Sequence, residues 1–318
     1  MKKLFFFLLL YTLTHICCKE QVENKETLWT IAWSPDGKYI ATGGNQEVLK
    51  VFDAKTFELL KTYPVPGVQL SRLKWHPSKN LLAVITQGRT FKAKILDLDT
   101  GKWRELQDLE SSFRALDWNH TGELLAVSEL EDTVSVYTMH GSRVSRFLAD
   151  SKGVAGLDWH PSKNIMVTVG TQIGIYTQHG DTINAFEPRN VETFLLCVEW
   201  HKSGDFFAVG DYGDLEKAEV KLLQFWNKEG VMLNTIDGSP GEYRNIRWNP
   251  NGKRLASASD ALRIWSQAGE LIAESASAND YLWGVDWSPD GKFIVTSSSE
   301  GKIALWDKNA NLLRVIDE

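Results

Sequence analysis

The chain has 318 residues, of which 43% are hydrophobic and 24% charged; this is an ordinary globular composition and excludes a long disordered tract. Its 41 acidic residues outnumber 35 basic ones, and a net charge of −6 argues against nucleic acid as a partner, which requires a basic face. Three cysteines, two of them adjacent near the N-terminus, cannot form an internal disulfide framework.

In chain order, Lys2 and Lys3 precede an apolar run over residues 4–13, broken only by Tyr11 and Thr12 and leading to Ile16, Cys17 and Cys18. A basic start followed by an apolar stretch too short to span a bilayer comfortably reads as an export signal. The two cysteines at its end match the acceptor of a bacterial lipoprotein. Cys18, followed by Lys19 and Glu20, is the preferred anchor, because the bulky Ile16 is a poor predecessor for Cys17. The expected organisation is a leader over 1–18, a polar linker over 19–26 and one folded domain over 27–318. Acylation would tether that domain to a membrane without a spanning helix. A bacterial membrane-anchored lipoprotein, periplasmic or at the surface, is thus expected in preference to free secretion. Cys197 reads as a small buried hydrophobe.

From residue 27 onward the tryptophans set the frame. Trp33, Trp75, Trp118, Trp159, Trp200, Trp248 and Trp287 are separated by 42, 43, 41, 41, 48 and 39 residues. A period in the low forties signals four-stranded propeller blades, so seven anchors predict seven blades. An apolar residue stands two before each anchor (Ile31, Leu73, Leu116, Leu157, Val198, Ile246, Val285), the alternation of a strand with one face in a core. Turns follow as Ser34-Pro35-Asp36-Gly37, His76-Pro77-Ser78-Lys79, Asn249-Pro250-Asn251-Gly252 and Ser288-Pro289-Asp290-Gly291, with proline presetting the first corner and glycine accepting positive φ. A second strand then runs through Tyr39-Ile40-Ala41 and its counterparts. A third ends in pairs such as Val51-Phe52, Phe225-Trp226 and Trp306-Asp307, and a fourth opens after a breaker, as at Gly230. One blade buries too little alone, so the disc must form by stacking neighbours.

On the Trp-Ser-Pro-Asp-Gly turns and the closing Trp306-Asp307, the chain resembles the WD-repeat propellers from about Thr27 to its end. A periplasmic propeller of the Tol type shares those turns and stays open as a second reading. The Gly-His pair that usually precedes the first strand is missing from every repeat, and only one repeat keeps Trp-Asp. Apolar and tryptophan packing are therefore expected to hold the disc. The expected fold is all-β: a single seven-bladed propeller of four-stranded antiparallel blades. The first strand, Leu28 to Trp33, is innermost and the last, Leu312 to Ile316, outermost, so each blade is expected to be whole, without a swapped closing strand.

Histidines draw attention but carry no chemistry. His76, His160 and His201 follow anchors, and Ser34, Asn119, Asn249 and Ser288 fill the same slot; successive blades hold that slot apart, whereas a metal needs converging ligands. No metal, cofactor or catalytic residue is assigned, since no nucleophile elbow, P-loop or zinc-protease motif occurs. The acids before the anchors (Asp117, Asp158, Glu199, Asp286) repeat as a strand position.

Binding has the better case. In the family's architecture, the loops entering the first strand ring the top of the channel, where partners usually dock. Four residues before each anchor stand Trp29, Ser71, Arg114, Ala155, Leu196, Arg244 and Trp283, and Trp and Arg are enriched at binding hot spots. Trp29, Arg114, Arg244 and Trp283 are candidate contacts for a protein or peptide; packing of the two indoles between blades is the competing reading. Blade five spaces Trp200 and Trp226 by 26 residues, where other blades use 17 to 21. The extra segment around residues 211–217 adds Tyr212 as a candidate, because loop insertions often sit on a binding face. The reading is a monomeric interaction scaffold with no nucleic-acid partner; the alternative is a propeller enzyme or small-ligand binder that uses the channel.

Overall fold

A computed structural model of the chain describes residues 26–149, 152–188, 194–212, 221–239, 241–275 and 280–316. Within them lie twenty-eight strands in seven four-stranded sheets, each made of four strands consecutive in sequence. Blade one comprises Leu28–Trp33, Tyr39–Gly44, Val48–Asp53 and Leu59–Pro64. Blade seven comprises Leu282–Trp287, Phe293–Ser298, Ile303–Asp307 and Leu312–Ile316. Every pairing is antiparallel, with the anchor at a fixed place: Trp33 faces Ile40 as Trp287 faces Ile294. The architecture is the seven-bladed propeller that the tryptophan spacing predicts.

Blade stacking supplies the core. The first three strands of each blade are buried and the fourth is largely exposed, so apolar side chains face the next blade across an unbroken sequence of clusters. One cluster joins Ala41, Leu49 and Val51 of blade one to Leu73, Trp75 and Leu82 of blade two. Fully burying such a side chain stabilises by about 1.5–3 kcal/mol.

The ring closes in the same way. Leu28, Ile31, Trp33 and Phe52 of blade one pack with Val295, Ile303, Leu305 and Ile316 of blade seven. Hydrogen bonds cross this seam from Trp33 N to Asp286 Oδ2 (2.7 Å), from Thr27 Oγ1 to Ser299 O (3.1 Å) and from Arg314 to Thr56 O (3.2 Å). Among the described residues no strand is exchanged between blades one and seven.

The turn slot after each anchor works by two chemistries. Ser34 and Ser288 accept from the backbone N–H five residues on, as do the amide oxygens of Asn119 and Asn249. The histidines accept from the turn instead: His76 Nδ1 from Ser78 and Lys79, His160 Nδ1 from Ser162. Their Nε2 atoms reach the next blade, His160 to Gly204 O at 3.2 Å and His201 to Gly252 O at 2.9 Å. This contact dictates glycine there: Gly204 has φ of +75°, and a Cβ on it would stand 2.3 Å from His160 Nε2. Asn119-His120-Thr121 forms a glycosylation sequon, but the Asn119 side chain is buried and donates to Asn164 Oδ1, which closes it to modification.

Candidate functional site

The innermost strands build the channel wall, and their local geometry aims the rim residues. Blades one, two, five and seven carry a register shift in the innermost strand, between Leu28 and Thr30, Leu70 and Arg72, Leu195 and Cys197, and Leu282 and Gly284. The bulged residues are Trp29, Ser71, Leu196 and Trp283. A bulge leaves one residue outside the ladder and re-aims its side chain. In blades three, four and six the strand begins at Leu116, Gly156 and Asn245, so Arg114, Ala155 and Arg244 lie just ahead of it. All seven residues line one cavity of about 120 Å³, together with Arg72, Gln87 and Asn245.

Two indoles and three guanidiniums dominate this cavity. The Trp29 and Trp283 rings stand 6.4 Å apart, tilted by 34°. The Arg244 guanidinium lies 3.8 Å over the Trp283 ring, a cation–π contact, and pairs with Glu242. Arg72 crosses the channel from blade two: its guanidinium donates to Arg114 O at 3.2 Å, Asn245 Oδ1 at 2.6 Å and Arg244 O at 3.4 Å. Burial, together with Arg114, Arg244 and Arg247 nearby, pushes the Arg72 guanidinium down to about 10. Burial and Arg244 also press Arg114 downward, while Glu242 and Tyr212 oppose them. Among the described residues Ser71 Oγ, Arg244 Nε and Trp283 Nε1 are buried without a hydrogen-bond partner. Each such group ordinarily costs about 1–3 kcal/mol.

Three residues further along the same strands lies a second ring: Ala32, Lys74, Asp117, Asp158, Glu199, Arg247 and Asp286. Here the carboxylates have partners. Asp286, Asp117, Asp158 and Glu199 accept from the anchor N–H of the following blade, at Trp33, Trp159, Trp200 and Trp248. Arg247 bridges Glu199 at 3.3 Å and Asp286 at 3.1 Å; Lys74 reaches Asp117 at 3.3 Å and Asp158 at 4.0 Å. Burial and the neighbouring Asp117 raise the Asp158 carboxyl well above its ordinary range. Anchor indoles add staples: Trp75, Trp118, Trp159 and Trp287 donate to the carbonyls of Ala32, Lys74, Asp117 and Arg247 in the preceding blade. Polar cross-links therefore join apolar packing in holding the disc, contrary to the expectation from the missing family residues. Trp265 and Trp306 also donate to Ser257 and Thr296 of their own blades.

The structure brings Trp29, Arg114, Arg244 and Trp283 together as expected, and both indoles remain partly exposed. Tyr212, at the end of the second strand of blade five, bonds to Phe194 O and does not line the cavity. Residues 213–217 of the blade-five insertion lie outside the described residues, as do Cys17 and Cys18. Cys197 is buried, with its thiol pushed up to about 12 by burial. Sequence reasoning missed Arg72 and the bulges. The readable sign of Arg72 was its column, otherwise Thr30, Ala115, Gly156, Cys197, Asn245 and Gly284: one long cation among small or neutral residues.

Two family profiles match this chain: the ELP1 first N-terminal beta-propeller over residues 13–162, and the WD domain, G-beta repeat over residues 269–307. These matches support a WD-repeat β-propeller. Similar proteins include the B subunit of eukaryotic translation initiation factor 3 from Drosophila yakuba, 25% identical over 86% of this chain and 49% of its own length. Another is the protein transport protein sec13 of Emericella nidulans, 23% identical over 86% of this chain and 88% of its own. The chain thus spans about half the length of the initiation-factor relatives and most of the transport protein. Both relatives are eukaryotic, which overturns the expected localisation as a bacterial membrane-anchored lipoprotein. A basic start and short apolar run are compositional features that specify no kingdom, and the ELP1-type match begins at residue 13, inside the expected leader.

Proposed function

We propose that this WD-repeat propeller is a protein-interaction scaffold that captures a partner protein or peptide at the top rim of its channel. The observation that carries this reading is the cavity formed by Trp29, Trp283, Arg114 and Arg244, where buried donors lack partners among the described residues. Three such donors converge on this one cavity, where a bound group could accept from them. The residue types support the reading, because Trp and Arg dominate interface energetics. So do the relatives, one of which is named as a subunit of a larger factor. The bulges on which Trp29 and Trp283 sit are devices typical of functional rims.

The test is selection of peptides from a displayed random library on the immobilised protein, repeated with Trp29→Ala and Trp283→Ala. Wild type is expected to enrich a defined consensus that either variant fails to hold, while unfolding free energy changes by less than about 1 kcal/mol. Capture unaffected by both substitutions would place the partner surface elsewhere. A stability loss of about 3–5 kcal/mol, the cost of truncating a core tryptophan, would mark the indoles as inter-blade packing instead.

A further inference from the structure

We infer that the top-rim cavity is a receptor for a peptide carboxylate, seated between the guanidiniums of Arg114 and Arg244 above Arg72, with the adjoining apolar atoms against Trp29 and Trp283. This deepens the reading of the top rim as the partner surface and rests on it.

Charge is the first argument. Three guanidiniums line a cavity of about 120 Å³, and among the described residues one carboxylate, Glu242, is set against them. Among the described residues Arg72 bonds to neutral oxygens alone. Arg114 has neither an ion pair nor a side-chain hydrogen bond among the described residues. Like charges gathered away from bulk water repel strongly, and a bound anion relieves that repulsion. The second argument is donor chemistry. Trp283 Nε1 and Arg244 Nε are donors alone, and Ser71 Oγ can donate as well. A wall of donors selects an acceptor; of the acceptors a peptide carries, carbonyl oxygens and ionised carboxylates, three guanidiniums favour the charged one. Guanidinium forks match its two oxygens in geometry.

Size and lining are the third argument. The cavity has room for a few water molecules, so it admits a carboxylate on a short methylene stem. Ala155 and Leu196 complete its apolar wall beside the indoles. A lysine or arginine side chain would add a cation to three already present. Two sources carry the required chemistry, an Asp or Glu side chain and the free C-terminus of a peptide.

The test is titration of the 318-residue chain, with its tryptophans labelled at the indole nitrogen, followed through the Trp283 Nε1–H resonance. That signal is assigned by its loss in Trp283→Ala. The probes are N-acetylglutamate amide, N-acetylalanine, N-acetylglutamine amide, N-acetyllysine amide and inorganic phosphate. A carboxylate probe is expected to shift the resonance, with the glutamine isostere weaker on the order of tenfold or more. Arg114→Met should weaken the carboxylate probe by a similar factor without altering the melting transition, and Arg244→Met provides a second variant. The tighter of the glutamate and alanine probes names the source. Equal binding of the glutamine or lysine probe, or tighter binding of phosphate, overturns the assignment. So does the absence of any shift with both carboxylates. If peptides selected through Trp283 are neutral or basic, the carboxylate assignment fails while the top rim stands as the partner surface. If peptide capture ignores Trp283→Ala, the rim itself fails.

Discussion

The two ends of the axial channel are built on the same seven strands, three residues apart, and they spend their charged groups in opposite ways. At the lower ring each of the four carboxylates accepts an anchor N–H from the next blade, and Arg247 and Lys74 bridge them. At the upper ring three guanidiniums face one carboxylate, and donors of Ser71, Arg244 and Trp283 lack partners among the described residues. A satisfied polar network cross-links and specifies a structure; an unsatisfied one costs stability and is tolerated where something else completes it. The lower ring reads as part of the disc, the upper ring as a surface for a partner.

Substitution of one cation at each level separates the two roles. Arg247→Met leaves Glu199 and Asp286 buried without their bridge, and a loss of about 3–5 kcal/mol is expected in urea denaturation. A loss below about 1 kcal/mol would show that the lower ring is not a structural network. Asp158→Asn tests the same ring through pH. The folded pKa of Asp158 is raised above its ordinary 3.8, so above that value the folded protein holds a proton that the unfolded chain has released. Stability from this group is therefore highest at acid pH and falls as pH rises through the folded pKa. The amide oxygen of the variant can still accept from Trp200 N–H, so the variant should be more stable than wild type at pH 8. The gain should shrink at pH 5, and a variant less stable than wild type at pH 8 would contradict the sign. The smallest effect belongs to the upper ring: Arg114→Met should change unfolding free energy by no more than about 0.5 kcal/mol. A loss comparable to that of Arg247→Met would erase the distinction between the rings.

The fold was legible because each blade repeats the same demands. An anchor, an apolar residue two before it and a Pro/Gly turn recur at a period that only stacked blades satisfy, and the whole-blade register followed from Leu28 and Ile316. The rim was legible in part. Counting four back from each anchor found Trp29, Arg114, Arg244 and Trp283, although the bulges that turn Trp29 and Trp283 into the cavity leave no mark in composition. Arg72 escaped because strand alternation does not flag it, and its one sign, a long cation in a column of small or neutral residues, says nothing of where its guanidinium reaches. Its role exists only because the ring brings blade two opposite blade six. The carboxylates before the anchors were visible as a repeated position. Their bonds were not, since each partner lies one blade away, 42 residues for Asp117 and Asp158 and 253 for Asp286.

The account's central claim is that the upper ring is open for a partner while the charged groups of the lower ring are paired with one another and with anchor N–H groups. Peptide capture by wild type and Trp283→Ala, compared at matched folded fraction, tests it most directly. The account predicts that capture is lost and unfolding free energy is held within about 1 kcal/mol. Capture retained by a folded Trp283→Ala protein would contradict it.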